Sequence, residues 1–273
     1  MKGLKKLLGL TLAAMMSISL VGCSSSDDKE ASGDKLQQIK DAGVLVVGTS
    51  ADYAPYEFKK GEEIVGFDDS MVQEIAKDIG VEVKYEDMDF DSLIAALQSD
   101  KVDIVLSGMT PNEERKEQVD FSEIYYTDSN VCIVAKGKED LVKSADDLKD
   151  LKVGVQSGTT QADYVTNTLG ITSAKQLKRV PDLMMDLQNG NIDVIVTGKN
   201  VANINIGQYD GLAIGKTTVG QEVAESTAAA IKKSTDDCDN TSLVKSINDT
   251  IKRLKDDNKM DGYMQEALKL AEK

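Results

Sequence analysis

The densest potential chemistry in this chain lies in Ser107-Gly108-Met109-Thr110-Pro111-Asn112-Glu113-Glu114-Arg115, directly after the apolar run 102–106. That run reads as a buried strand. The Gly-Met-Thr-Pro turn is then expected to open a helix with Glu113 and Glu114 in its first turn and Arg115 in its second. A helix start at the carboxyl edge of a sheet presents N–H groups without intrahelical partners. Thr110 adds a hydroxyl, and the planar fork of Arg115 can pair a carboxylate in bidentate fashion. The chemistry expected is capture of a small molecule's carboxylate. The same letters also fit a solvated helix face, since Arg115 sits among Glu113, Glu114 and Lys116.

Two further stretches could share that task. Ser157-Gly158-Thr159-Thr160 follows a strand at 151–156 and precedes a helix at 161–169, so it presents the same N–H groups and hydroxyls, and two such edges could hold one carboxylate between them. Thr49-Ser50-Ala51-Asp52-Tyr53-Ala54-Pro55-Tyr56-Glu57-Phe58 follows the strand 44–48 and carries three of the chain's 12 aromatic residues. Aromatic faces at a strand's carboxyl end can wall a ligand pocket. Tyr53 is expected to do so, with Tyr56 and Phe58 packed beneath the loop.

The elements that must position these stretches form two alternating patterns. The first runs strand 44–48, helix 67–79 ended by Gly80, strand 81–85, a helix bearing Leu93, Ile94 and Leu97, and strand 102–106. The second runs strand 151–156, helix 161–169, strand 177–180, helix 182–188 and strand 192–196. Strands alternating with helices predict α/β lobes, each a mainly parallel sheet flanked by helices. The strand 131–137 leaves the first lobe and 223–232 returns to it, followed by a long amphipathic helix marked by Leu243, Val244, Ile247, Ile251 and Leu254 and a final one over 260–270. The expected division is lobe 1 at 35–130 and 228–273, lobe 2 at 131–227, with two crossings that let the lobes hinge around a ligand.

Composition narrows the function classes. The 273 residues allow two modest domains, and the formal charge of −15 disfavours nucleic acid and anionic lipid as partners. There is no histidine, which removes the commonest general base and metal ligand, so no metal or cofactor is expected. Residues 1–22 combine a basic start with an apolar stretch of signal-peptide length, and Leu20-Val21-Gly22-Cys23 looks like a bacterial lipobox. Cleavage before Cys23 and diacylation of its sulfur would anchor the chain at the outer face of the cell membrane. Residues 23–34 then read as a flexible tether. With the leader removed, 29 basic side chains face 47 acidic ones, a net charge of −18. Cys132 and Cys238 are far apart in sequence and are expected to remain unpaired.

Several blocks, in order, resemble the extracellular solute-binding proteins of bacterial polar amino-acid ABC importers. They are Ala51 to Phe58, Gly66-Phe67-Asp68, Met88-Asp89-Phe90, Asp103 to Thr110 with Glu114-Arg115, Asp120-Phe121-Ser122 with Tyr125-Tyr126, and Gly154 to Thr159. The resemblance implies a periplasmic-binding-protein-like fold and a non-catalytic, monomeric capture protein. Such a protein delivers a carboxylate-bearing solute, a polar amino acid, to a permease and its ATPase. It implies that Tyr53 and Phe90 flank the ligand side chain, that Gly108 and Thr110 bind its α-groups, that Arg115 clamps the carboxylate and that Gln156 and Thr160 face it from lobe 2. Ser50, Met109, Thr159 and Gly198 complete the expected contact set.

One departure stands out. Relatives place an acid for the ligand's α-ammonium where this chain has Gly198, and Asp52 or Glu222 are the expected substitutes, unless the ligand lacks an ordinary α-ammonium. Alternatives to transport are a ligand-sensing lipoprotein that signals to a receptor and a dehydratase built on the same fold.

Overall fold

The computed structural model describes residues 33–236 and 238–272; the expected leader, Cys23 and most of the expected tether lie outside the described residues, as does the side chain of Glu222. Lobe 1 is built on β1 (Val44–Thr49), β2 (Glu82–Asp87), β3 (Ile104–Val105) and β4 (Val119–Phe121), with the helices α1 (Lys35–Ala42), α2 (Phe67–Ile79), α3 (Leu93–Gln98) and α4 (Glu113–Gln118). The chain crosses at Tyr126–Thr127 and enters lobe 2. There it forms β5 (Asn130–Ala135), β6 (Val153–Gln156), α5 (Thr160–Asp163), β7 (Lys175–Leu177), α6 (Val180–Gln188), β8 (Val194–Gly198), α7 (Lys199–Gln208) and β9 (Leu212–Thr218). It crosses back at Ser226–Thr227, adds β10 (Ala230–Lys232) to the first sheet, and ends in α8 (Thr241–Asp256) and α9 (Met260–Ala271).

The two sheets share one plan. Their strand orders are β2-β1-β3-β10-β4 and β7-β6-β8-β5-β9. In the first, β1 runs parallel to β2 and β3 while β10 is antiparallel to both β3 and β4. In the second, β6 runs parallel to β7 and β8 while β5 is antiparallel to both β8 and β9. Each sheet thus has a single reversed strand, and it is the strand that arrives from the other lobe. The crossings themselves pair antiparallel, Ser226 opposite Thr127 and Thr227 opposite Tyr126.

Packing follows from strands that are apolar on both faces. In β5, Ile133 faces the α6 and α7 side, where Leu183, Leu187 and Val201 are buried. Its neighbours Cys132 and Val134 face the opposite side, with Leu148 and Val165. In lobe 1, Met71, Ile75 and Ile79 of α2 meet Ile247, Ile251 and Leu254 of α8 over Leu45, Val47 and Ile104. Removing any one of these buried aliphatic side chains would cost about 2–5 kcal/mol.

Several expectations shift. The aromatic loop is a small hairpin sheet of Asp52–Tyr53, Glu57–Lys60 and Glu63–Val65. The expected strand at 177–180 lies earlier, at Lys175–Leu177, and α6 starts sooner because Pro181 suits a first helical turn. The expected helix 161–169 is one α-turn, Thr160–Asp163, continued by a wider π-turn over Tyr164–Thr168. The expected strand 223–232 is interrupted, with a 3-10 turn at Gln221–Val223 and only short pairings after it. Cys132 is buried, and its thiol is pushed up to about 12 by burial; Cys238 is partly buried, and neither is paired.

Candidate functional site

The carboxyl ends of β1 and β3 in lobe 1 and of β6 in lobe 2 face one cavity between the lobes, which holds about 310 Å³ of non-atom space. Lobe 1 lines it with Ser50, Tyr53, Glu57, Phe90, Ser107, Gly108, Thr110 and Arg115. Lobe 2 lines it with Gln156, Thr159, Thr160 and Gln161, and the returning crossing adds Glu225. Nine of the eleven expected contact residues are therefore brought together, while Met109 and Gly198 are not part of the lining. Met109 turns inward and is buried with Leu93, Leu97 and Val105.

Arg115 is the cation of the cavity. It is 6% exposed and comes from the third residue of α4, a helix whose N-terminus is closed by the Asn112 side chain accepting from Arg115 N at 2.8 Å. Its Nη1 donates to Thr110 O at 2.5 Å, its Nη2 donates across the cleft to Gly158 O at 2.7 Å, and the guanidinium lies 5.4 Å from the Phe90 ring centre. These contacts fix the fork and leave its remaining N–H donors for a ligand carboxylate. Burial pulls the guanidinium down to about 10, against the nearby Glu114 and Asp163 carboxylates, so it is cationic at neutral pH. Phe90 therefore supports the clamp as well as walling the cavity.

The loop around Gly108 is held from behind. Gly108 N donates to Asp68 Oδ2 at 2.7 Å, and Tyr125 OH donates to Asp68 Oδ1 at 2.9 Å. Gly108 N–H is thus already engaged and is not a free donor for a ligand. Asp68 stands in the first turn of α2, where the helix dipole favours its negative charge, yet burial pushes its carboxyl up to about 6. Ser107 Oγ accepts from Ser50 N at 3.0 Å and donates to Glu57 Oε1 at 2.7 Å. Burial, and then Asp68, hold the Glu57 carboxyl well above its ordinary value. The Thr110 hydroxyl accepts from Ser226 N at 3.1 Å, which ties the clamp loop to the crossing and leaves its proton available.

The lobe 2 wall is partly spent on its own structure. Thr159 caps α5, accepting from Ala162 N at 3.1 Å and donating to Gln156 O at 2.8 Å. Gln156 Nε2 donates to Lys178 O at 3.1 Å, and Thr160 Oγ1 donates to Gln161 Oε1 at 3.3 Å. Gly158, at φ +75°, sits where a Cβ would lie 2.9 Å from Asp91 Cβ of lobe 1, so only glycine allows both this backbone and this approach.

The acid expected at Asp52 is placed elsewhere. Asp52 accepts from Val180 N at 2.8 Å and pairs with Arg179 Nη1 at 3.8 Å, so it spans the lobes outside the cavity. Two acids line the cavity, Glu57 and Glu225; Glu225, 2% exposed, accepts at Oε1 from Tyr53 OH and from Gln161 Nε2 at 3.0 Å. Burial pushes its carboxyl up to about 7. Sequence reasoning missed Glu57, Ser107, Gln161 and Glu225. The first three stand in or beside the stretches singled out, whereas Glu225 lies in a segment read as a plain strand and had no local signal.

The family model for bacterial extracellular solute-binding proteins, family 3, matches residues 45–268. The chain is 42% identical over 202 residues to the arginine-binding extracellular protein ArtP of Bacillus subtilis, covering 73% of this chain and 75% of that one. It is 30% identical over 257 residues to the L-cystine-binding protein TcyJ of Escherichia coli, covering 92% and 93%. Among solved structures it resembles an amino acid ABC transporter substrate-binding protein from Streptococcus pneumoniae bound to L-arginine, with a TM-score of 0.80, 29% identity, and coverage of 87% of this chain and 98% of that one. The family match spans both lobes and both crossings that frame this cavity, and the chain belongs to the bacterial extracellular solute-binding proteins, family 3.

Proposed function

We propose that the chain is the non-catalytic solute-binding subunit of an ABC amino-acid importer, which closes on a polar α-amino acid outside the cell and delivers it to a permease and its ATPase. The observation that carries this reading is Arg115. It is a buried guanidinium fixed by Thr110 O, Gly158 O and Phe90 at the wall of an interlobe cavity, with donors left over and, among the described residues, no carboxylate within ion-pair distance. A buried cation with unused donors is costly unless a ligand anion answers it. Thr110 and Thr160 add hydroxyls, and Tyr53 supplies an aromatic wall. Relatives named for arginine, cystine, histidine and glutamine support the amino-acid class, and L-arginine is the first ligand to test.

Truncating one partner of a desolvated charge pair costs about 2–5 kcal/mol. Arg115→Ala should therefore weaken amino-acid binding by roughly 30-fold or more, read by calorimetric titration. Unchanged affinity in that variant would end this reading. The lipobox at Cys23 supports anchorage at the extracellular face of the membrane. Cys23→Ser should abolish palmitate incorporation in cells, and persistent labelling would count against it.

A further inference from the structure

Gly198 and Glu225 fit each other. Gly198 ends β8 with φ −63°, a conformation open to any residue, so the backbone does not require glycine there. Space does: a Cβ at position 198 would lie 2.5 Å from both carboxylate oxygens of Glu225. Glu225 reaches that space from the hinge, where Asp128 N donates to its carbonyl at 2.9 Å and the next residue pairs with Thr127. Its Oε1 is occupied by Tyr53 and Gln161, while its Oε2 is buried without a hydrogen-bond partner. No lysine or arginine among the described residues pairs with it, and the charged group facing it most strongly is another acid, Asp128. Glu57 Oε2, in the same lining, also lacks a partner, but it is Glu225 that fills the space beside Gly198, and a carboxylate oxygen without a partner there can receive a ligand's cation.

We propose that Glu225 is the ionic partner of the ligand's α-ammonium, presented from the returning crossing, and that position 198 is glycine because the Glu225 carboxylate occupies the space of its side chain. This rests on the amino-acid reading above and deepens it: the ligand carries a free primary α-ammonium, and its counter-charge sits on the hinge. Binding the ammonium therefore fastens the ligand to the segment about which the lobes turn.

The test is calorimetric titration of the stripped mature protein with two probe pairs, L-arginine against 5-guanidinopentanoate and L-glutamine against 4-carbamoylbutanoate. Each pair differs only in the ammonium. Wild type should prefer the amino acid of at least one pair by roughly 30-fold or more. Glu225→Gln, which keeps the shape, should reduce that preference to a few-fold while leaving the affinity for the ammonium-free probe within a few-fold. Gly198→Asp/Glu225→Ala, which returns a carboxylate to the same space from β8, should recover the preference to within about tenfold of wild type. A Glu225→Gln protein that keeps the full preference, or a double variant no better than Glu225→Ala, overturns the proposal. Wild type that binds no member of either pair, and neither histidine nor cystine, overturns the amino-acid reading beneath it instead.

Discussion

At the scale of residues, the cavity sets one buried cation, Arg115, against two buried acids, Glu57 and Glu225, each with one oxygen that lacks a hydrogen-bond partner; of the two, Glu225 stands on the returning crossing against Gly198. The groups facing Glu225 are Tyr53 and Tyr56 from the aromatic segment, Glu57 from the hairpin, Gln161 from α5 and Asp128 from the first crossing. With burial raising its carboxyl from an ordinary 4.5 to about 7, the ligand-free protein holds a proton there that the unfolded chain would release. This group's contribution to stability is therefore fully present below about pH 4.5 and is lost as pH rises through about 7. Ligand affinity runs the other way, because an ammonium must displace that proton. Affinity should fall by roughly tenfold per pH unit below about pH 7, and binding near pH 6.5 should release a proton, visible as buffer-dependent heats. Glu225→Gln should show neither effect, and a pH dependence unchanged in that variant would place the titrating group elsewhere. Arg115, Tyr53 and Thr110 were legible from sequence because each stands in a stretch of unusual composition at a strand's carboxyl end. Glu225 was not, because its role depends on a crossing that brings it beside a glycine 27 positions earlier in the chain.

At the scale of elements, closure is held by contacts that exist only between lobes. Helix α6 receives no side-chain cap from Arg179, the residue before its first turn; its Val180 N–H is answered instead by Asp52 of lobe 1. Burial raises the Asp52 carboxyl despite that N–H and Arg179, so the bond lies in a largely desolvated seam. Arg179 also meets Asp87 at 3.3 Å and Asp89 at 3.2 Å, and Lys178 meets Asp89 at 2.7 Å. Partly exposed pairs contribute about 0.2–1 kcal/mol each. Arg179→Ala should therefore raise the ligand dissociation rate by roughly 3- to 10-fold in stopped flow at low salt, with the difference shrinking in high salt as screening takes over. An equal dissociation rate at low salt would show that this seam does not hold the lobes. The motif Gly66-Phe67-Asp68 was legible as a marker and now has a physical reason, since Asp68 anchors the loop that carries Gly108. Helix α7 was missed because Val201, Ile204 and Ile206, set among Ala202, Asn203 and Asn205, give no clean helical stripe, although Val201, Ala202, Ile204 and Asn205 are all buried.

At the scale of the whole molecule, the alternation of strand and helix predicted two lobes with mainly parallel sheets, and each sheet does carry four strands in one direction and one reversed. The reversed strands were not foreseen as such, because β5 and β10 look like any buried apolar run; their direction is set by the crossings that deliver them. Both crossings feed strands central to the sheets, so the site and the hinge are built from the same segments, and Thr110, Ser226, Asp128 and Glu225 link them directly. Ligand capture and lobe closure are then one event. The measurement that tests this account most directly is thermal unfolding of the mature domain, unfolded and refolded to strip bound solute, against arginine, glutamine, histidine and cystine. A ligand at about 100 times its dissociation constant adds about 2.7 kcal/mol. At this size the account predicts a rise of roughly 5–10 °C for at least one of them, lost in Arg115→Ala. No shift with any amino acid, or the same shift in Arg115→Ala, would contradict it.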